Sequence, residues 1–570
     1  GEELEDGAEN PAAINIFGRW ILAGDQDGDG HISAISGAAS HFSERYMIQH
    51  VHGWETAENV DQWASHLQGM TSYSQHFLVA DTDGNILYTG FQGMPCRDYL
   101  PRDANGIPID GAHPQLLIEG WNHPSFSLRY DDQLRIDTAP DELLHCALSW
   151  DQYPHAKNPA QGYVVNANNA PWGAAWDNNL WNEDNYIGGP WYGTWRASRI
   201  HELIEAGAGQ HSVETVAAIQ GDHRSRMATE FAPLLLNVLE RTAQLSSADP
   251  NLSAADQRIA ATLASHSDRL AEAGQRIEDW QARGARAASG VETFYNQPTA
   301  DERLDAAATS IFNAWMGRFL NSVFDDEGLP DLFRPTGSYG RTRALKLLVD
   351  GVGEDNPMQL ASWKAENGES VFFDVVGTEQ IESRDELVID ALVDAVAHLE
   401  SAPGADGLGG FGNEDMDSWL WGLKHQVRFD SFVAREIGDD PLIDSLFEDL
   451  GVTTAVLPLS SPAPEPNDPR AQLKGFPRPG DAFAVDAAGG ISTENFSYGS
   501  GPVMRLSVAM DPAGIHGINV VPGGQSSHPD SPHFADQAAL WLGNEAFPLR
   551  FYVDDVIAGA TGRELLSPSP

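Results

Sequence analysis

The residues whose types and spacing best suit chemistry lie between Asn158 and Glu205. A short β-prone run, residues 163–165, leads into the cluster NANN at residues 166–169. Asn is a poor strand former that favours turns, and at the end of a strand its amide N–H₂ can point beyond the sheet, as a donor to a developing negative oxygen must. Asn168 is therefore the candidate oxyanion donor.

A fixed cation follows about thirty residues later. Arg199 lies at the start of an amphipathic helix that carries Ile200, Leu203 and Ile204. Its planar guanidinium can hold the Asn168 side chain or a substrate carboxylate. The alternative is that the Asn cluster is an ordinary turn and that Arg199 is a solvated charge at a helix end, which the local sequence alone favours.

Strands at both ends of the chain are predicted to position these residues. Phe77 to Ala80 and Ile86 to Tyr88 are β-rich runs on either side of Asp83-Gly84, which is a strong hairpin signal. Alternation resumes between Val503 and Met510, after a Pro-rich connector between Leu457 and Pro479.

Between these strands, the sequence has helical periodicity from about residue 200 to 450. Ser212 begins one helix, and capping boxes begin two more at Thr299 and Ser383. An Ala-rich stretch from Ala254 to Ala288 has alternating charges and is predicted to be a solvated surface helix. The strands and the helical block together indicate a sheet-containing core into which helices are inserted.

Four segments resemble the penicillin acylase family of N-terminal nucleophile hydrolases. The first is the NANN cluster with the later Arg199, in which the resemblance implies that Asn168 is the oxyanion donor and that Arg199 orients it. The others occur in the family's order: HFLVADTDGNILYTGFQGMPCR (76–97), WLWGLKHQVRF (419–429) and PGGQSSHPDSPHFADQAALWLG (522–543).

The resemblance implies an α+β fold, the four-layered αββα sandwich of N-terminal nucleophile hydrolases with a large helical insertion. Residues 1–200 are then the first part of the core, with its hairpins and the active-site strand. Residues 201–456 are a mainly helical block, and residues 457–570 are the Pro-rich connector and the C-terminal strands that return to the core.

The function implied is that of an amidohydrolase acting on the amide of an N-acylated small molecule, such as a β-lactam antibiotic or an acyl-homoserine lactone. In the family an N-terminal Ser attacks the amide and forms an acyl-enzyme, and no cofactor takes part in the chemistry. Because this chain begins at Gly1, we expect a second chain or a missing segment to carry the Ser and the small subunit.

A non-catalytic secreted binding protein on the same scaffold is the alternative function. It needs no nucleophile, and a Trp-rich segment provides aromatic faces on which a sugar or an aromatic ligand can stack. The residues are Trp172, Trp176, Trp181, Trp191 and Trp195.

Structural calcium is also expected, because members of the family often bind it near this site. The loop after Asn168 is rich in oxygen ligands, and Asp177 and Asp184 are the candidate carboxylates. The alternative is that this acidic loop is solvated surface.

Composition restricts the partners. A formal net charge of −49 repels phosphate backbones and anionic lipids, so neither nucleic acid nor a membrane is an expected partner. Such an excess of acid suits salty surroundings, as in halophilic proteins. A periplasmic or secreted location is expected. Cys96 and Cys146 are the two cysteines, and the sequence leaves open whether they are bonded.

Overall fold

The structure is a computed structural model. It describes residues 2–4, 13–16, 19–22 and most of 46–567; the stretches outside the description are 5–12, 23–45, 71–74, 139–145, 172–182, 192–194, 329–336, 352–368 and 430–456, with gaps of one to three residues elsewhere. Two compact units are present, residues 1–164 with 170–191 and residues 165–169 with 192–570. The three-part division of the chain stays a prediction.

The described residues of the first unit form two small antiparallel sheets and two α-helices. One sheet has the order β1-β3-β2 and the other β4-β5-β6. The elements are β1 Glu2–Leu4, β2 Ala13–Ile16, β3 Arg19–Leu22, α1 Met47–Thr56, α2 Val60–Leu67, β4 Phe77–Ala80, β5 Ile86–Thr89 and β6 His155–Lys157.

The predicted hairpin is confirmed as β4 and β5, which pair from Phe77↔Thr89 to Ala80↔Ile86. Asp81 stabilises its turn, since its Oδ1 accepts the N–H groups of Asp83 (3.1 Å) and Asn85 (2.9 Å). The predicted strand at residues 163–165 is wrong, because these residues are irregular. β-Propensity alone does not make a strand without a partner, and β5 pairs instead with β6.

A disulfide joins Cys96 to Cys146 in the first unit, with their Cα atoms 5.5 Å apart. The Cys96 N–H also donates to the Cys146 carbonyl at 3.1 Å, so the backbone holds the two residues at bonding distance. The sequence left open whether the two cysteines are bonded, and the structure shows that they are.

The second unit is mainly helical and also contains short antiparallel strands. One sheet pairs β7 with β8, and another has the strand order β11-β10-β9. The elements are α3 Trp195–Ala206, α4 Val213–Gln220, α5 Arg226–Thr242, α6 Ala254–Ala282, α7 Ala300–Phe324, α8 Gly337–Asp350, α9 Arg384–Glu400, β7 Gln426–Val427, β8 Phe476–Pro477, β9 Arg505–Ala509, β10 His516–Val520, α10 Ala538–Leu542, β11 Phe547–Pro548 and α11 Val553–Ala558.

Local capping signals set several of these helix boundaries. The boxes predicted at Thr299 and Ser383 are both confirmed, at the starts of α7 and α9, and Ser212 caps α4. In each of the two boxes, the Glu at the third helical position accepts the N–H of the capping residue, which satisfies a donor that the helix leaves unpaired.

Helices α5, α6, α7 and α9 pack on one another around the core of the second unit. α7 is buried along most of its length, and Trp315 and Phe319 are fully buried within it. The prediction that α6 is a solvated surface helix is wrong. Its apolar face, including Leu270, Ile277 and Trp280, is buried in this core, and only the opposite face carries the alternating charges.

The predicted strand between Val503 and Met510 is confirmed as β9, which pairs with β10 from Arg505↔Val520 to Ala509↔His516. Among the described residues, no helix is both long and apolar enough to cross a bilayer.

Candidate active site

The turn at residues 165–169 is shaped by its own Asn side chains. Asn166 Oδ1 accepts the backbone N–H of Asn168 (2.9 Å), and Asn169 Oδ1 accepts that of Ala167 (3.0 Å). Two of the three Asn side chains are therefore committed to the turn, as Asn side chains commonly are. This leaves Asn168 as the member of the cluster whose side chain is available for another role.

Asn168 has a left-handed backbone conformation, with φ of 65°, and its side chain is exposed. Arg196 Nη2 donates to its Oδ1 (2.7 Å) and also to the carbonyl of Ala167 (2.9 Å). One guanidinium thus binds both the side chain and the backbone of the turn. Asn is among the residues that tolerate this conformation, so the residue type at position 168 suits the backbone of the turn.

The amide of Asn168 is fixed on one side and free on the other. A guanidinium only donates, so the atom that faces Arg196 is the amide oxygen. The Nδ2 group consequently points the other way, and no hydrogen bond from it to a described residue is formed. An oriented N–H₂ without a partner is what a site that stabilises an oxyanion requires.

The predicted contact between Arg199 and Asn168 is wrong. Arg199 donates through Nε and Nη2 to the two carboxylate oxygens of Asp222 (2.9 and 2.8 Å) and through Nη1 to Glu202 (3.1 Å). Arg196 and Arg199 differ by about 60° around the helix axis and about 4.5 Å along it, so they reach different neighbours. The hydrogen bonds to Asp222 raise the pKa of Arg199 above its ordinary value.

Arg199 is thus neither a solvated charge nor the partner of Asn168. Its side chain is 15% exposed, and its forked ion pair attaches α3 to the loop after α4. Glu202 extends this attachment, since it also accepts from Arg226 Nη1 at 2.6 Å. Sequence reasoning missed Arg196 and Asp222. The available signal was that Arg196 lies on the same helix, one turn earlier.

The proposed calcium ligands Asp177 and Asp184 lie outside the described residues. Among the residues that are described, no group of three or more His, Cys, Asp or Glu side chains is arranged to hold a metal ion. The calcium site stays a prediction, because the loop that was predicted to form it is not part of that search.

The Trp-rich segment does not provide the aromatic surface that the binding-protein alternative requires, as far as it is described. Trp195 is buried, and its Nε1 donates to Thr342 (3.3 Å). Trp191, in the first unit, is half-buried against that unit's core. Trp172, Trp176 and Trp181 lie outside the described residues.

Comparison with known proteins places the chain in a family. The model of the penicillin amidase family matches residues 23–558. The chain belongs to the penicillin amidase family. It is therefore a hydrolase that acts on amide bonds, an amidohydrolase of the penicillin acylase type. No curated protein matches the chain.

Among solved structures, the chain is similar to the thermostable penicillin G acylase from Alcaligenes faecalis in its orthorhombic form. The TM-score is 0.51 at 17% sequence identity, over 92% of this chain and 73% of the acylase chain. At this identity the likeness bears on the fold. The α+β fold class of N-terminal nucleophile hydrolases is thereby confirmed for this member of the penicillin amidase family.

Proposed function

We propose that this protein hydrolyses the amide of N-acylated small molecules, such as β-lactam antibiotics or acyl-homoserine lactones, and that Asn168 donates to the oxyanion of the reaction. The observation that carries the proposal is the state of the Asn168 amide. Its oxygen is held by Arg196 at 2.7 Å, and its Nδ2 group is exposed and oriented away from that contact.

In the proposed reaction, the hydroxyl of an N-terminal Ser attacks the amide carbonyl, and its own α-amine takes the proton. That amine has a pKa near neutrality, which suits a general base. Asn168 Nδ2 donates to the carbonyl oxygen as it becomes negative, the C–N bond breaks, and the amine leaves with a proton. Water then hydrolyses the acyl-enzyme. The nucleophilic Ser is proposed to belong to a segment or chain outside these residues.

Arg196 and Arg199 are given separate roles. Arg196 orients the Asn168 amide directly, because it binds both Oδ1 and the neighbouring carbonyl. Arg199 acts one step further away, through the forked pair with Asp222 that attaches α3. A fixed donor contributes more to a transition state than one that must be ordered during the reaction.

Location, partners and calcium are further parts of the proposal. The disulfide between Cys96 and Cys146 supports a periplasmic or secreted location, since disulfides persist in oxidising compartments. The net charge of −49 supports a small-molecule substrate and neither nucleic acid nor a membrane as a partner. A structural calcium ion at Asp177 and Asp184 remains part of the proposal.

The test is hydrolysis by the complete protein, with its nucleophile, of chromogenic phenylacetyl amides and of acyl-homoserine lactones. Mass spectrometry of quenched reactions should detect an acyl group on an N-terminal Ser. Asn168→Ala should abolish most turnover, whereas the matched control Asn251→Ala, in an exposed loop of the second unit, should not. Complete absence of hydrolysis and of adduct, with ligand binding retained, would support the non-catalytic alternative.

A further inference from the structure

Arg97, in the first unit, has no acidic partner among the described residues. It follows the disulfide-bonded Cys96, and its side chain is half-buried. Nη1 donates to the sulfur of Met94 (3.6 Å), and the guanidinium lies over the ring of Tyr186, 5.0 Å from the ring centre. A cation without a carboxylate is unexpected in a chain that has 83 acidic residues against 34 basic ones.

The groups around Arg97 supply no counter-charge. Burial lowers the pKa of Arg97, and the other groups that act on that pKa are Tyr186, Tyr99 and Arg102. A tyrosine is neutral at ordinary pH, and Arg102 is itself a cation. The guanidinium of Arg97 stays protonated all the same. Because a charge withdrawn from water is unfavourable unless it is paired, the surroundings of Arg97 favour an anion.

The edge of the Arg97 guanidinium that suits a carboxylate is open. Nε and Nη2 form no hydrogen bond with a described residue, and both nitrogens remain accessible to solvent. Elsewhere in this protein the same edge binds carboxylates. Arg199 uses Nε and Nη2 for the two oxygens of Asp222 (2.9 and 2.8 Å), and Arg258 uses them for the two oxygens of Glu386.

The backbone fixes the position of Arg97. Its φ is 56°, a left-handed conformation that is unfavourable for a residue with a long side chain. Hydrogen bonds hold the chain on both sides, since the Cys96 N–H donates to the Cys146 carbonyl and the Leu100 N–H donates to the Arg97 carbonyl, both at 3.1 Å. Strained residues of this kind concentrate at sites that bind ligands.

The open edge and the charge of the chain together select the anion. Nε–H and Nη2–H are parallel donors in one plane, which the two oxygens of a carboxylate can accept at once. Phosphate also fits such a fork, but at neutral pH it carries more than one negative charge. One free guanidinium does not neutralise that charge, and a chain with a net charge of −49 repels it more strongly than it repels a monoanion.

We propose that Arg97 is the centre of a binding site for a small organic carboxylate, whose two oxygens accept from Nε and Nη2 of the guanidinium. The site does not depend on the proposed amide hydrolysis, so it stands even if that function is wrong.

Calorimetric and ligand-observed NMR titrations of the complete protein, at neutral pH, test the proposal with benzoate, with its neutral isostere benzamide and with inorganic phosphate. Benzoate should bind saturably, and at least about tenfold more tightly than benzamide, because only benzoate has a charged acceptor pair for the fork. It should also bind more tightly than phosphate. No saturable binding of benzoate, or equally tight binding of benzamide or phosphate, would overturn the proposal.

Variants of Arg97 locate the site. Arg97→Gln removes the charge and should weaken benzoate binding by about tenfold or more. Arg97→Lys should weaken it as well, because an ammonium keeps the charge but has no planar fork. The control Arg135→Gln, at an ion pair of the same unit, should leave the affinity unchanged. Wild-type affinity in either Arg97 variant would contradict the proposed site.

Asn168→Ala separates this site from the proposed reaction. The benzoate binding that Arg97→Gln removes should persist in Asn168→Ala, because the proposed carboxylate site uses no atom of Asn168. If Asn168→Ala removed that binding and Arg97→Gln did not, benzoate would be bound at the site of the reaction, and the carboxylate site at Arg97 would be refuted.

Discussion

Two polar groups of the second unit, the Asn168 turn and the Asp486 cluster, are both organised by arginine, but they differ in burial and in what is left unpaired. Asp486 is fully buried and receives three donors, two of them the charged guanidinium groups of Arg478 and Arg505 and the third Nε2 of His223. Asn168 is exposed and receives one, with its N–H₂ group left free. The difference separates a group whose loss should damage mainly the fold from a group whose loss should damage mainly the reaction.

The largest effect is expected for Asp486→Asn. The substitution leaves two buried guanidinium groups without their counter-charge, and breaking a buried ion pair costs about 3–5 kcal/mol. The free energy of unfolding, from urea denaturation followed by circular dichroism, should fall by that amount. If the variant were as stable as the wild type, the cluster would not be a main support of the fold.

Asn168→Ala should show the opposite behaviour. Removing a single oxyanion donor reduces kcat by about 10²- to 10³-fold, with little change in KM because the contact is made mainly in the transition state. The free energy of unfolding should fall by only about 1 kcal/mol, because the side chain is exposed and the main loss is that of placing Ala in a left-handed backbone conformation. Wild-type kcat would remove Asn168 from the reaction.

Lysine substitutions at the two arginines distinguish their roles. Arg196→Lys keeps the charge but loses the planar fork, and we expect kcat to fall by about tenfold or more. In a double-mutant cycle with Asn168→Ala, the loss from Arg196→Lys should largely disappear, whereas the loss from Arg199→Lys should be closer to additive. Full additivity for Arg196 would show that it does not act through Asn168.

Lowering the pH should reduce the free energy of unfolding through histidines that are buried without a charge. Burial lowers the pKa of His425 from about 6.5 to about 3, although the hydrogen bond from Nδ1 to the Phe496 carbonyl acts against the shift. No described residue pairs with the buried Nε2, where the additional proton would have to bind. Above pH 6.5 this contribution to stability is complete. As pH falls towards 3, the unfolded chain binds a proton that the folded chain does not, so stability is lost.

The expected slope is about 1.4 kcal/mol per pH unit for each such histidine. Burial lowers the pKa of His398 to about 4, so His398 should also make the protein less stable as the pH falls. Unfolding free energies measured from pH 7 to pH 4 should decline, and His425→Gln should flatten the decline. An equal slope in that variant would assign the acid sensitivity to other groups.

The smallest effect that we predict is that of calcium. If Asp177 and Asp184 hold an ion, a chelator should lower both the melting temperature and the activity, to an extent set by affinity and free calcium. Asp177→Asn should reproduce the loss and make the protein insensitive to the chelator. An unchanged melting temperature, together with no metal by elemental analysis, would identify the loop as surface.

The features that the sequence predicted well are those that short stretches determine. The capping boxes at Thr299 and Ser383 and the hairpin at Asp83-Gly84 need only neighbouring residues, and all are present in the structure. The strand predicted at residues 163–165 is absent because a strand needs a partner from elsewhere in the chain. The burial of α6 was predicted wrongly because its charged residues lie on one face only. Burial of the other face depends on helices from elsewhere in the chain that pack against it.

The candidate site was predictable to within one helical turn. The Asn cluster and the helix start indicated where a donor and its arginine would lie. Choosing between Arg196 and Arg199 requires the rotation of α3 relative to the turn, which depends on Asp222 and on packing that involves distant residues. The hydrogen bond between His223 and Asp486 could not be predicted from the sequence either, since the two residues are 263 positions apart.

The bond between Cys96 and Cys146 changes what a denaturing gel reports about this protein. A protease that cuts once anywhere between residues 97 and 145 leaves both fragments covalently joined, because the bond closes that loop. Such a nicked molecule migrates as one species until a reductant is added and then separates into two. A second band that appears only after reduction therefore indicates a nick inside the loop, whereas a band present without reductant indicates a cut outside the loop or a separate polypeptide.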